Sequence, residues 1–112
     1  ICSPLSYVSS NSNIGEGTIV MHGSLINSGA VVGRNCILNS KSLLEHDVSI
    51  GDNCHISTSA VINGDVHVGE SVFIGSNATI ANGVKIGNNC IIGAGLFVTK
   101  EVADNTILIN GQ

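Results

Sequence analysis

A chain of 112 residues has the length of a single domain. Only 11% of its residues are charged and 3% aromatic, against 14 glycines, a composition too poor in large side chains for an ordinary globular core but suited to short strands joined by tight turns. The net charge of −4 excludes the Lys/Arg cluster that meets phosphates in a nucleic-acid partner, and no apolar run approaches the ~20 residues of a membrane span.

In chain order, residues 1–7 read as a lead-in segment, the end of a preceding domain. The first residue is Ile1 rather than Met, so the chain is expected to be a fragment of a longer protein. From Val8 onward every sixth residue is aliphatic: Val8, Ile14, Val20, Ile26 and so on without a slip to Ile86, Ile92 and Val98. Four residues after each comes a mostly small one, as in Thr18, Ser24, Ala30 and Cys36. A helix needs apolar positions three and four apart, and this spacing refuses them. A longer period lies on top, because Ile14-Gly15, Val32-Gly33, Ile50-Gly51, Val68-Gly69 and Ile86-Gly87 recur every eighteen residues. Three six-residue sides per turn describe an all-β, triangular parallel β-helix of slightly more than five coils over residues 8–112. Asn27-Ser28-Gly29, Asn63-Gly64-Asp65 and Asn82-Gly83 supply residues that tolerate sharp corners.

Residues at equal places in successive coils form columns. Cys36, Cys54 and Cys90 fall in one inward column with Thr18 and Val72, so they are expected as small, reduced core fillers, which suits a cytoplasmic protein. Cys2 lies outside that column. In a strand the residue between two inward ones points outward. One face then shows Ile19, Ile37, His55, Phe73 and Ile91, the next Tyr7, Leu25, Leu43, Val61, Thr79 and Phe97, and the third Asn13, Val31, Ser49, His67, Lys85 and Ala103. Two apolar stripes on adjacent faces predict a head-to-tail homotrimer in which Ile19, Ile37, Phe73 and Ile91 meet Leu25, Leu43, Val61 and Phe97 of a neighbour. His46 and His55 share one coil, so His46 of one subunit is expected to face His55 of the next across a cleft. His22 and His67 read as surface histidines.

The run Glu45-His46-Asp47-x-x-Ile50-Gly51-Asp52-x-x-His55-Ile56 resembles the signature of one branch of the hexapeptide-repeat acyltransferases, the sialic acid O-acetyltransferase and UDP-4-amino-sugar N-acetyltransferase family. The likeness extends from Ser3-Pro4-Leu5-Ser6-Tyr7 through Phe73-Ile74-Gly75 and Ile92-Gly93-Ala94-Gly95 to Val98-Thr99-Lys100-Glu101-Val102. It implies that the β-helix is left-handed, against the usual crossover preference, and that the assembly is trimeric. It also implies acetyl transfer from acetyl-CoA to a sugar amine or hydroxyl. His46 would act as general base, a role suited to an imidazole whose unperturbed pKa lies near 6.5. Asp47 would orient it, with Glu45 as the alternative. The Gly64 N–H, one coil on, would stabilise the oxyanion. His55, Ser76 and Ala94 match positions that contact acetyl-CoA, and Lys85 or Lys100 could meet its phosphates. Family members carry a nucleotide-sugar-binding domain before the β-helix and commonly end in a V-G-x-P-A-type tail, whereas this chain ends Ile107-Leu108-Ile109-Asn110-Gly111-Gln112.

Two other readings stand beside this one. A γ-carbonic-anhydrase-like enzyme on the same scaffold would bind zinc through three histidines that include a closely spaced pair. His22, His46, His55 and His67 are separated by 24, 9 and 12 residues, so no metal site is expected. An inactive trimeric scaffold is the third reading. An ice-binding prism is excluded by the lack of T-x-T arrays.

Overall fold

The computed structural model describes residues 1–109, so the last three residues of the expected 8–112 domain, which close the departing tail, lie outside the described residues. The chain winds as a left-handed parallel β-helix of about six turns. Each side of the triangle is a two-residue strand followed by a bend. Tyr7–Val8, Leu25–Ile26, Leu43–Leu44, Val61–Ile62, Thr79–Ile80 and Phe97–Val98 stack as one six-stranded sheet, the Leu43 face. The His67 face has five strands, from Asn13–Ile14 to Lys85–Ile86, and the His55 face has six, from Ile19–Val20 to Ile107–Leu108. The register is eighteen residues as far as Phe97–Val98, as in Leu25 opposite Leu43 and Ile37 opposite His55, and only the last pair, Ile91 opposite Ile107, departs from it. The rungs at the two ends bring the expected slightly more than five coils to about six.

The strands are short because each contributes one inward and one outward residue before the chain must turn. Inward residues such as Ile26, Leu44, Ile62 and Ile80 are fully buried, and the backbone carbonyl of each accepts from the preceding coil while the outward residue beside it donates to the following one. Leu25 N donates to Ser42 O at 3.0 Å and Asn27 N to Leu44 O at 2.9 Å. At most bends one residue adopts the left-handed conformation, among them Asn35, Asp47, Asn53 and Asp65 with φ of 56–60°. Asn, Asp and Gly dominate these positions because a Cβ is crowded there and short polar side chains can compensate. Lys41, at φ 61°, is the least suited residue in the series.

The small inward column does more than fill space. Thr18 Oγ1 donates to Gly33 O at 2.7 Å, and the thiols of Cys36, Cys54 and Cys90 reach the carbonyls of Gly51, Gly69 and Ala103, each at 3.1 Å. Each thus satisfies a bend carbonyl of the next coil, and all three cysteines are free and buried, as expected. The hydrogen bond shared with Cys36, together with burial, pushes the Cys54 thiol above its ordinary pKa. Cys2 forms a parallel bridge with Val20 at the first rung of the His55 face.

The regular period ends after Val98. The next inward residue is Val102, which bridges Ile86, and Ile107 then pairs with Ile91. The step from Val98 is therefore four residues instead of six. Ala103 consequently comes opposite Gly87, whose N–H donates to Val102 O at 2.8 Å. This corrects the expectation that Ala103 continues the outward column from Asn13 to Lys85. The shortened bend removes the two residues that would have kept the register.

Candidate active site

His46 sits on the bend between the Leu43 and His67 faces, where its side chain is 58% exposed. Its Nδ1 lies 3.3 Å from Asp47 Oδ2. A carboxylate can only accept, so Nδ1 carries the hydrogen and Nε2 keeps the free lone pair. Asp47 stands at φ 60°, and its carboxylate lies so close over Gly29 that a Cβ there would collide with it. Glu45, the alternative orienter, is engaged elsewhere: Asn27 Nδ2 donates to its Oε1 at 2.8 Å.

Gly64 lies one coil on, directly against the imidazole. A Cβ built on it would come within 2.6 Å of His46 Cε1 and Nε2 and 3.1 Å of Asn82 Nδ2. The missing side chain therefore leaves a hollow onto which the free imidazole nitrogen opens. The structure thus brings His46, Asp47 and Gly64 together at one corner. Asp65 joins them, since His46, Asp47 and Asp65 each offer a ligand atom within 4.8 Å of the others. It escaped the sequence reading, although its register eighteen residues after Asp47 placed it in the same column. Among the described residues these three are the one group of potential metal ligands, and all are exposed. The histidines do not gather.

His55 stands apart, half-buried on its own face. Its ring meets Phe73 edge-to-face at 5.2 Å and 86°. Asn39, not singled out from sequence, fixes its chemistry. The Ser40 N–H donates to Asn39 Oδ1 at 2.8 Å, which leaves the Asn39 amide nitrogen to approach His55 Nε2 at 3.4 Å. Nε2 then accepts, and Nδ1 carries an N–H free for a ligand. Ser76 and Ala94 occupy successive coils at the corner between the His55 and Leu43 faces, joined by the Gly95 N–H donating to Ser76 O at 2.9 Å. Gly75 permits this stacking, because a Cβ there would meet Ala94 N at 2.5 Å. The candidate residues therefore fall at different corners of the chain, which does not itself bring His55, Ser76 or Ala94 to His46. His22 has a partner that sequence did not foresee, Ser3 Oγ at 2.5 Å from its Nδ1.

The outward apolar stripes are present as expected. Ile19, Ile37, Phe73 and Ile91 remain 38–42% exposed, and Phe97 68%. No helix among the described residues is long and apolar enough to cross a membrane.

The family model for the hexapeptide repeat of succinyl-transferase matches residues 30–63 and 65–100. The chain belongs to the hexapeptide-repeat acyltransferase superfamily. Among solved structures it is similar to the acetyltransferase domain of PglB from Neisseria gonorrhoeae in complex with acetyl coenzyme A. The identity is 27%, covering 95% of this chain and 52% of that one, with a TM-score of 0.94. It is also similar to PerB of Caulobacter crescentus in complex with CoA and GDP-perosamine, at 36% identity over 96% of this chain and 52% of that one, with a TM-score of 0.94. The UDP-N-acetylglucosamine acyltransferase of Francisella novicida, 24% identical over 98% of this chain and 48% of that one with a TM-score of 0.90, shares the fold. No curated protein matches the chain by sequence. The hexapeptide-repeat chain spans about half the length of these neighbours.

Proposed function

We propose that this β-helix is the catalytic part of an acetyl-CoA-dependent transferase that acetylates an amine or hydroxyl of a sugar. The observation that carries this reading is the geometry of His46, with Nδ1 on Asp47 and Nε2 open to the hollow over Gly64. In the reaction the acceptor nitrogen or oxygen attacks the thioester carbonyl while His46 Nε2 takes its proton. The carbonyl oxygen becomes an oxyanion beside the Gly64 N–H. Collapse of the tetrahedral intermediate expels the CoA thiolate, which takes up a proton and leaves as the thiol. Asp47 holds the imidazole through Nδ1 and favours the imidazolium that forms.

The acyl donor reads as acetyl-CoA because PglB is solved with acetyl-CoA and PerB with CoA. His55 would donate its Nδ1–H near the thioester, and the Ser76 and Ala94 backbones would flank the pantetheine arm. Lys100, three coils beyond His46 in the same column, or Lys85 would meet the phosphates. Since one chain does not bring His55 to His46, the complete site needs a second copy, with His46 of one subunit facing His55 of the next in a homotrimer. The acceptor is proposed as a sugar nucleotide or sialic-acid-type sugar by analogy with PerB. The cytoplasm is the proposed setting, where buried free thiols persist reduced.

The test is thiol release from acetyl-CoA with a panel of amino-sugar nucleotides and free sugars, GDP-perosamine included, after the mass in solution has been determined. A trimer whose turnover falls ~10²–10⁴-fold in His46→Ala supports the reading. A trimer that turns over none of them leaves the chain as a scaffold.

A further inference from the structure

At the corner between the His67 and His55 faces, bend N–H groups are capped by the side chain one coil on. The Arg34 N–H donates to Asp52 Oδ1, the Glu70 N–H to Asn88 Oδ1 and the Asn88 N–H to Asp104 Oδ1, each at 2.8 Å. The corresponding group at the His46 corner is the Gly64 N–H, and the residue eighteen positions on is again an asparagine, Asn82. Yet the amide oxygen of Asn82 does not cap it. Among the described residues no hydrogen bond uses the Gly64 N–H, and Asn82 turns its Nδ2 toward the hollow, 3.1 Å from where a Gly64 Cβ would stand. Two donors thus border one small space, and the lone pair of His46 Nε2 opens onto the same space.

An oxyanion forming there has unfavourable neighbours. Asp47 and Asp65 both present carboxylates within 4.8 Å of the imidazole, and like charge at such range opposes a second negative centre. A single backbone donor is weak compensation, and donors directed at the developing charge are the remedy available to a fixed site. Resting on the acetyl-transfer reading above, we propose that the side-chain amide of Asn82 is the second oxyanion donor, acting with the Gly64 N–H on the thioester carbonyl oxygen. No bond to Asn82 forms or breaks. Its N–H stays protonated and shortens its contact as the carbonyl oxygen gains charge, so its contribution is greater in the transition state than in the bound substrate.

The residue is exposed and its own φ is ordinary, with Gly83 taking the left-handed position, so substitution leaves the fold intact. The experiment compares Asn82→Ala and Asn82→Asp with the wild type and His46→Ala, using acetyl-CoA and whichever acceptor the wild type turns over, with melting temperatures as control. The expected result is a kcat lower by roughly ten- to a hundredfold in Asn82→Ala, with the KM for acetyl-CoA changed less than about twofold. Asn82→Asp, which puts an acceptor and a charge where the donor stood, falls further. Asn82→Ala within about twofold of wild type, while His46→Ala is inactive, overturns the role of Asn82 and leaves the transferase reading standing. A wild type with no His46-dependent turnover overturns the transferase reading itself and the Asn82 proposal with it.

Discussion

Replacing Gly64 by alanine separates catalysis from stability. The new Cβ would stand 2.6 Å from His46 Cε1 and Nε2, whereas ordinary contact begins near 3.4 Å, so the imidazole must retreat by about 0.8 Å. It can do so cheaply, because the ring is 58% exposed and nothing but Asp47 holds it. The backbone adds no strain, since Gly64 is absent from the left-handed positions that Gly29 and Gly83 occupy. Alanine even reduces the freedom of the unfolded chain, which favours the folded state by about 0.4–1 kcal/mol. The variant should therefore melt no lower than wild type. Catalysis has no such tolerance, because a misplacement of ~1 Å costs about a hundredfold, or ~2.7 kcal/mol of transition-state stabilisation. The assay is kcat/KM for acetyl-CoA beside a thermal melt of the same preparation. The same substitution in a His46→Ala background shows how much of the loss comes from displacing the ring and how much from filling the hollow. A Gly64→Ala protein within about threefold of wild-type activity would refute the claim that the carbonyl and Nε2 meet over Gly64.

The two candidate orienters differ in the same assay. Asp47→Asn should lower kcat by about tenfold or more, while Glu45→Gln, already held by Asn27, should stay within about twofold. The opposite ranking would transfer the role to Glu45. Leu44→Ala removes a fully buried side chain and should destabilise by about 2–5 kcal/mol in urea denaturation, and a loss under ~1 kcal/mol would mean that the coil interior is not packed as described. With Ellman's reagent, Cys2 should react in the native protein while Cys36, Cys54 and Cys90 react only after denaturation. Rapid native reaction of more than one thiol would contradict their role as donors to bend carbonyls.

Much of the architecture was legible because the repeat is periodic. Once Val8 to Val98 fell on every sixth residue, which residues point inward, which outward and which stack above one another followed from strand alternation and an eighteen-residue turn. The columns holding His46 with Gly64, and Cys36 with Cys54, were readable on that ground. The period failed at Val98, where a four-residue bend takes the place of six, and Ala103 was misplaced with it. Hydrophobic spacing reports an inward position only after the chain has returned to it, so a shortened bend leaves no mark of its own.

The sequence by itself determined the kind of fold and the column of each residue, because these depend on spacing along a regular lattice, and the choice of His46 and Asp47 as partners came from the resemblance of their motif to a known family. It left Asn39, Asp65 and Asn82 unread, for their roles lie in which atom of a side chain turns toward which neighbour. Only the tertiary structure decided that Asn27 holds Glu45, that Asn39 leaves His55 with a free Nδ1–H, and that Asn82 offers a donor over Gly64 while Asn88 offers an acceptor to Glu70. The same residue type at the same spacing gives opposite ends to its neighbour. That is settled by local side-chain torsions and competing hydrogen bonds, which no period encodes.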